Sequence, residues 1–289
     1  MSDKPGFIVQ KFPSSRKFTA DIGYLGLRKH RVQALIEVDV TDSRALLQAY
    51  RQERNVEVSF TAWILKCISQ AVHEHKSMHA LRQGRNRLII FDDIDISILI
   101  EKEIDGQKVP LPVVLRKTNK KSPEELHAEI QAAKAQPVRD EKDYVLGDAQ
   151  HEWGIKLFLA LPQFLRLILW RLILSNPHRM QKMMGTVVVT SVGMVGNLKG
   201  WVIPASIHPI CFALGSIVRK PGVSGEQIAI REYLPVTVLI DHDVVDGAPA
   251  TRFLSRLTEI IEAKIPALGR KNGIRIEIFQ EEDAKCVQN

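Results

Sequence analysis

The residues best suited to chemistry lie in one short stretch near the end of the chain, Asp241-His242-Asp243-Val-Val-Asp246-Gly247. The stretch follows an apolar run that favours a strand and precedes an amphipathic segment that favours a helix. A loop at the end of a strand presents its side chains to ligands, and a histidine with an ordinary pKa near 6.5 can accept and return a proton at neutral pH. We therefore predict that His242 is a general base.

The spacing His-x-x-x-Asp-Gly, within DHDVVDGAPATRFL, resembles the active-site signature of the 2-oxo acid dehydrogenase acyltransferases, which are related to chloramphenicol acetyltransferase. Three further segments resemble that family: GTVVVTSVGMVG, VPLPVVLRKTNKKSPEELHAEI and SFTAWILKCISQAVHEHKSMHAL. The resemblance implies an α/β fold, a chloramphenicol-acetyltransferase-like two-layer sandwich of a mixed β-sheet with flanking helices. It also implies an acyltransferase, in which the histidine deprotonates a thiol or hydroxyl that then attacks a thioester.

The resemblance also implies a hydroxyl donor for the oxyanion. Thr190 lies 52 positions before His242, as the family's donor usually does, and Ser191 is the alternative. A preorganised donor of this kind stabilises the charge that develops on the former carbonyl oxygen by about 3 kcal/mol. Thr190 could instead be an ordinary strand residue.

Other residues are expected to support the site. In related enzymes the aspartate of the motif pairs with an arginine near the N-terminus, so we expect Asp246 to form a buried ion pair with Arg16. Gly247 is expected to permit a tight turn. Asp243 stands where the family often has an arginine, and with Asp241 it would raise the histidine pKa unless both carboxylates point away.

Composition sets the broad class of protein. The 289 residues are 45% hydrophobic and 25% charged, which fits a globular protein. Three widely spaced cysteines and an N-terminus without a long apolar core lead us to expect a reducing, cytoplasmic location. The net charge of +7 suggests an anionic partner or a solvated basic surface. The basic clusters lack interleaved aromatic residues, so no nucleic acid is expected.

Other chemistries lack their signatures. The chain has no phosphate-binding loop, dinucleotide fingerprint or serine-hydrolase motif. His73, His75 and His79 lack the spacing of a metal site, so we expect them at the surface and expect no bound metal.

Hydrophobic periodicity predicts the elements that carry the site. We expect strands at residues 32–40, 109–116, 186–190, 210–218, 228–232 and 236–240, with 87–91 paired to 94–101, and helices at 42–51, 60–76, 123–135 and from Ala250 to Ile261. Cys67 is expected in the core. Ser122, Pro123 and Glu125 predict a capping box.

Residues 155–174 are the most hydrophobic part of the chain, yet Lys156, Arg166, Arg171 and Pro162 argue against a membrane span. We expect one inserted amphipathic helix with its basic residues on one face. The apolar face would pack within the protein or on another subunit, or lie in a membrane interface with the arginines outward, as a peripheral membrane contact.

We expect a single catalytic domain over residues 1–289, with no lipoyl or subunit-binding domain and no lipoyl attachment site. The main interpretation is a standalone transferase that uses coenzyme A as its acyl-CoA substrate and a small-molecule or carrier-bound thiol, hydroxyl or amine acceptor. The alternatives are the core of a 2-oxo acid dehydrogenase complex whose lipoyl domain is on another chain, and a non-catalytic scaffold or membrane-associated assembly protein. The resemblance implies a homotrimer, or a multiple of trimers, with sites between subunits, so His242 and Thr190 could come from different chains.

Overall fold

The computed structural model describes residue 12 and residues 15–104, 107–136, 157–193, 196 and 198–262. A seven-stranded mixed sheet forms its centre, in the order β1-β9-β7-β6-β4-β5 with β8 also pairing with β9, and β2 and β3 form a separate hairpin. The strands are β1 (Arg31–Asp39), β2 (Leu81–Gln83), β3 (Arg87–Ile89), β4 (Ile96–Ile104), β5 (Gln107–Leu115), β6 (Val187–Ser191), β7 (Ile210–Leu214), β8 (Val218–Ser224) and β9 (Gln227–Asp241).

Helices complete the second layer of a two-layer arrangement. The core lies between one face of the sheet and the helices, where Phe212 of the sheet packs against Phe253 at 6.3 Å between ring centroids. The predicted fold class, a mixed sheet with flanking helices, is confirmed. The helices are α1 (Ser15–Gly26), α2 (Thr41–Arg54), α3 (Phe60–Glu74), α4 (Pro123–Ala135), α5 (Gln163–Leu174), α6 (Pro177–Met184) and α7 (Gly247–Glu262).

Several local predictions are confirmed. The Ser122 side chain accepts from the Glu125 amide while the Glu125 side chain accepts from the Ser122 amide, so the capping box forms at the start of α4. Cys67 is buried in α3. Strand β5 contains Pro110 and Pro112 and lies at an edge of the sheet, where a missing amide donor is tolerated.

Two strand predictions are wrong. The strand beginning at Arg87 pairs with β2, whereas β4 pairs with β5 and β6. The expected strands at 228–232 and 236–240 form one continuous strand, β9. Pro235 does not interrupt β9 because β8 pairs with β9 only as far as Tyr233, and the pairing of β7 with β9 begins at Val236. The missing amide of Pro235 therefore falls where neither strand requires it.

The inserted hydrophobic segment differs most from its prediction. Residues 157–160 are helical, the helix is interrupted at Leu161 and Pro162, and α5 follows. Lys156 lies outside the described residues. Arg166 is buried against Asp21, whereas Arg171 is exposed. Four apolar side chains of α5 are exposed and the others are at least partly buried, so packing within one chain does not cover the whole apolar side. Packing on another subunit and contact with a membrane interface both stay predictions, but Arg166, expected to lie outward at a membrane, is buried. The four exposed side chains form what we call the α5 face: Phe164, Ile168, Leu169 and Leu172.

Candidate active site

His242 lies immediately after β9 and is held by the neighbouring strand. Residue Asp241 is paired in register with Arg31 of β1, and the His242 amide donates to the carbonyl oxygen of His30 over 2.9 Å. The imidazole is half exposed and lines a cavity of about 680 Å³ between the start of β1 and residues 203–206. This accessible position is what a general base requires.

The aspartates on either side of His242 both accept hydrogen bonds from neighbouring basic side chains. Asp241 is buried and accepts from Lys29 Nζ, and Asp243 accepts from His30 Nδ1 over 3.0 Å. The hydrogen bond from His30 lowers the pKa of Asp243 below its ordinary value. The two carboxylates that could have held a proton on His242 therefore have other partners.

The predicted buried ion pair between Asp246 and Arg16 does not form within the described chain. The Asp246 side chain is 90% exposed, and its nearest basic atom is His242 Nδ1 at 4.0 Å. Arg16 is exposed as well, so these two residues do not form a buried pair. Gly247 begins α7 outside the left-handed region, and a Cβ atom there would meet nothing within 4 Å, so the turn does not require a glycine.

Thr190 and Ser191 lie at the C-terminal end of β6, on opposite faces of the sheet because successive side chains alternate. Ser191 lines a second cavity of about 520 Å³, with Phe60 and Ile64 of α3 on its wall, and Thr190 is not among its lining residues. The geometry therefore favours Ser191, the alternative donor, as the hydroxyl that faces a cavity.

A close backbone approach shapes the loop after Ser191. A Cβ atom on Gly193 would lie 2.4 Å from the carbonyl oxygen of Gly215, nearer than real Cβ atoms come. Gly196 carries no such restriction. Glycine at 193 thus lets the two chain segments meet beside the cavity.

His242 and the β6 hydroxyls lie at opposite ends of the sheet. Thr190 is level with Ala213, and Ala213 is level with Thr237 of β9. His242 lies five residues beyond Thr237, which corresponds to about 17 Å along the strand at roughly 3.3 Å per residue. The 52-residue spacing therefore does not bring base and oxyanion donor into one site within a single chain.

A run of three basic residues, Lys29 to Arg31, lies beside His242 and was not among the residues predicted from the sequence. Lys29, His30 and Arg31 line the His242 cavity, and Arg31 donates to the carbonyl oxygens of Ser206 and Pro209 over 2.7 and 3.3 Å. Burial lowers the Arg31 pKa below its ordinary value. The signal was available in the sequence as a basic Lys-His-Arg run that pairs with the acidic Asp-His-Asp run across two antiparallel strands.

Two further histidines are buried. His79 Nδ1 lies 2.8 Å from Thr186 Oγ1, and His208 Nε2 lies 3.0 Å from the Met184 carbonyl oxygen. Burial lowers the pKa of each to about 4. The expectation of a surface position is wrong for His79. Within the described ranges, no group of three or more His, Cys, Asp or Glu side chains could hold a metal ion.

A central mixed sheet under one layer of helices, with a histidine at the end of a strand before the last described helix, defines an acyltransferase-type fold. The family model described as 2-oxoacid dehydrogenases acyltransferase (catalytic domain) matches residues 30–142 and 174–268. The chain belongs to this family. The unmatched residues 143–173 between the two parts include most of the hydrophobic segment.

The curated relatives are acyltransferase components of multienzyme complexes. The lipoamide acyltransferase component of the branched-chain alpha-keto acid dehydrogenase complex of Bacillus subtilis is 25% identical over 234 residues, covering 79% of this chain and 46% of the relative. The dihydrolipoyllysine-residue acetyltransferase component of the pyruvate dehydrogenase complex of Rickettsia conorii is 22% identical over 219 residues, covering 75% and 43%. The chain thus spans about half the length of the curated relatives it matches.

Solved structures share the fold. A probable dihydrolipoamide acetyltransferase from Listeria monocytogenes superposes with a TM-score of 0.64 at 20% identity, covering 94% of this chain and all of the other. The cubic core of a pyruvate dehydrogenase multienzyme complex also gives 0.64, at 18% identity, covering 90% and 94%. At these identities the likeness establishes the fold alone.

Proposed function

We propose that this chain is an acyltransferase catalytic domain that moves an acyl group between coenzyme A and the thiol of a dihydrolipoyl group. The observation that carries the proposal is the half-exposed His242 at the mouth of a 680 Å³ cavity, in a chain of this family. The functions of the relatives favour the core of a 2-oxo acid dehydrogenase complex over a standalone transferase with another acceptor.

The reaction uses His242 as a base. The Nδ1 atom is directed toward Asp246, so Nε2 is the nitrogen that takes the proton from the attacking thiol. The thiolate adds to the thioester carbonyl, and the resulting oxyanion accepts a hydrogen bond from a serine or threonine hydroxyl. When the carbon–sulfur bond of the donor breaks, the imidazolium returns its proton to the leaving thiolate. No covalent acyl-enzyme is formed.

The cavity supplies positive charge for a phosphorylated substrate. Lys29, His30 and Arg31 all lie along its wall, and a guanidinium or ammonium group binds phosphate oxygens by charge-assisted hydrogen bonds. Lys29 and His30 also bind the aspartates beside His242. The same run of residues would therefore hold coenzyme A and engage the two carboxylates that flank the base.

The active site is completed between subunits. His242 and Ser191 are too far apart in one chain to act on one carbonyl group, so a trimer would bring the base of one subunit to the hydroxyl-lined cavity of the next. Closed cyclic symmetry gives each of the three interfaces one complete site.

The test measures acyl-CoA-dependent thiol release with dihydrolipoamide, and with simple hydroxyl and amine acceptors, for wild type and three variants. His242→Ala should lower kcat by about 10²- to 10⁴-fold. Ser191→Ala should lower kcat by about 10²- to 10³-fold and Thr190→Ala much less. Preference for a hydroxyl or amine acceptor would favour the standalone interpretation, and a folded wild type no more active than His242→Ala would favour the scaffold.

Subunit mixing tests the shared site directly. His242→Ala and Ser191→Ala proteins, each nearly inactive, are unfolded together and refolded as mixed trimers. About one quarter of the interfaces then combine an intact base with an intact hydroxyl, so activity should return to about a quarter of the wild-type value. No recovery in trimers shown by mass to be mixed would refute a site between subunits.

A further inference from the structure

Helix α5 buries one of its two arginines and exposes much of its apolar side, the reverse of an ordinary surface helix. Arg166 donates through Nε and Nη2 to the two carboxylate oxygens of Asp21 over 2.7 and 2.9 Å, and Asp21 is fully buried. On the outer side, Phe164 is 63% exposed and Leu172 57%. The side of the helix that would normally face solvent is therefore apolar.

The helix is fixed in this orientation by contacts on its inner side. Trp170 packs edge-to-face against Phe158 and Phe18, at 5.9 and 6.3 Å between ring centroids. Lys17 Nζ donates to the Leu159 carbonyl oxygen over 2.8 Å, which ties the preceding turn to α1. Rotation of α5 to bury the α5 face would break the Arg166 ion pair and this aromatic cluster. The outward apolar face is thus built into the fold.

Among the described residues, α5 and the two helices in contact with it, α1 and α6, expose basic side chains and no carboxylate. Residues 157–184 contain no aspartate or glutamate, and the acidic residue of α1 is the buried Asp21. Exposed basic side chains lie on α5, α6, α1 and the turn after α1: Arg171, Arg179, Lys182, Arg16 and Arg28.

We propose that the α5 face docks the protein on the surface of an anionic lipid bilayer. Its apolar side chains would enter the boundary between headgroups and acyl chains, and the surrounding cations would meet lipid phosphates. Two copies that met through this same face would oppose like charges, because the described residues of α1, α5 and α6 expose no carboxylate, so charge complementarity favours lipid over such a pairing. Among the described helices none is long and apolar enough to cross a bilayer, which fits a peripheral contact.

The test is co-sedimentation of the full chain with vesicles of pure phosphatidylcholine and of phosphatidylcholine with phosphatidylserine. We expect binding to the anionic vesicles that weakens at high salt. Phe164→Ser/Leu172→Ser and Arg171→Glu/Lys182→Glu should each raise the lipid concentration needed for half-binding by at least tenfold. The control Val223→Ser/Ile228→Ser removes two apolar side chains of comparable exposure on the β8–β9 hairpin and should bind as wild type.

The outcomes separate the possible occupants of the α5 face. Circular dichroism melts first establish that each variant is folded. Failure of the wild type to bind anionic vesicles, or equal binding by the α5 variants, would overturn the proposal. If Phe164→Ser/Leu172→Ser instead lowered the oligomeric mass without affecting vesicle binding, the face would be an interface between copies. Acyl transfer to soluble dihydrolipoamide is measured separately and does not depend on lipid.

Discussion

The buried ion pair between Asp21 and Arg166 gives a sharp test of how α5 is held. The Arg166→Met substitution keeps most of the side-chain volume and removes the charge that Asp21 requires. Asp21 is fully buried, and Arg166 supplies two of its hydrogen bonds, with Gln163 Nε2 at 3.4 Å as a weaker third contact. The variant therefore leaves a carboxylate with little compensation inside the protein.

The expected cost is about 3–5 kcal/mol of unfolding free energy, because breaking a buried pair leaves one charge uncompensated. That is a large fraction of the roughly 5–15 kcal/mol that stabilises a typical domain. The double variant Asp21→Leu/Arg166→Met removes both charges and should recover most of the loss. Arg171→Met, on the exposed side of the same helix, should change stability by no more than about 0.5 kcal/mol.

Urea unfolding of the four proteins measures these differences, and amide hydrogen exchange over residues 157–184 shows whether the loss is global or confined to α5 and α6. Arg166→Met should exchange faster in this region than wild type, and the double variant should not. An equal loss of unfolding free energy in Arg166→Met and Arg171→Met would refute the reasoning, because it would show that the Asp21–Arg166 pair is exposed to water in the folded protein.

Two further predictions follow from close packing and from buried histidines. Gly193→Ala places a Cβ atom 2.4 Å from the Gly215 carbonyl oxygen, so it should lower the free energy of unfolding by about 1–3 kcal/mol and lower kcat by displacing the Ser191 loop. The control Gly196→Ala should change neither quantity, and equal behaviour of the two variants in thermal melts and activity assays would contradict the prediction. Burial lowers the pKa values of His79 and His208 to about 4, whereas a histidine in the unfolded protein has a pKa near 6.5. Between pH 6.5 and pH 5 the unfolded protein therefore takes up protons at these residues that the folded protein does not, so each histidine should reduce the free energy of unfolding by about 2 kcal/mol over this range. Urea titrations across this range should show a flatter decline for His208→Gln than for wild type, and an unchanged slope would show that His208 is protonated in the folded protein.

Predictions from sequence succeeded where the signal is local. The capping box at Ser122 needs only residues three positions apart, and the apolar periodicity of α3 lies within 15 residues. The position of His242 at a strand end was likewise predictable from a short motif. Errors arose where the partner is distant: Asp21 and Arg166 are 145 positions apart, and nothing in the amphipathic pattern of α5 shows that the polar side faces inward.

The candidate site shows the same limit. The sequence identified both the histidine and the hydroxyl strand, because each follows a recognisable local pattern. It could not show that antiparallel pairing of β7 with β9 separates them within one chain, nor that Lys29 and His30 bind the flanking aspartates. Both facts depend on strand register, which a single sequence does not reveal.

The continuous strand β9 also determines where the protein can be re-engineered. Its nine-residue pairing with β1 fixes the position of His242, and a one-residue insertion within that pairing would turn every following side chain to the opposite face. The turn between β8 and β9 lies at the far end of the same strand and contains Gly225 at φ +63°. A side chain at this position would meet no neighbouring atom within 4 Å of its Cβ atom. An affinity tag or fluorescent label introduced at that turn would leave the end of the strand that carries His242 unshifted, which makes the turn a suitable attachment point for immobilising the protein.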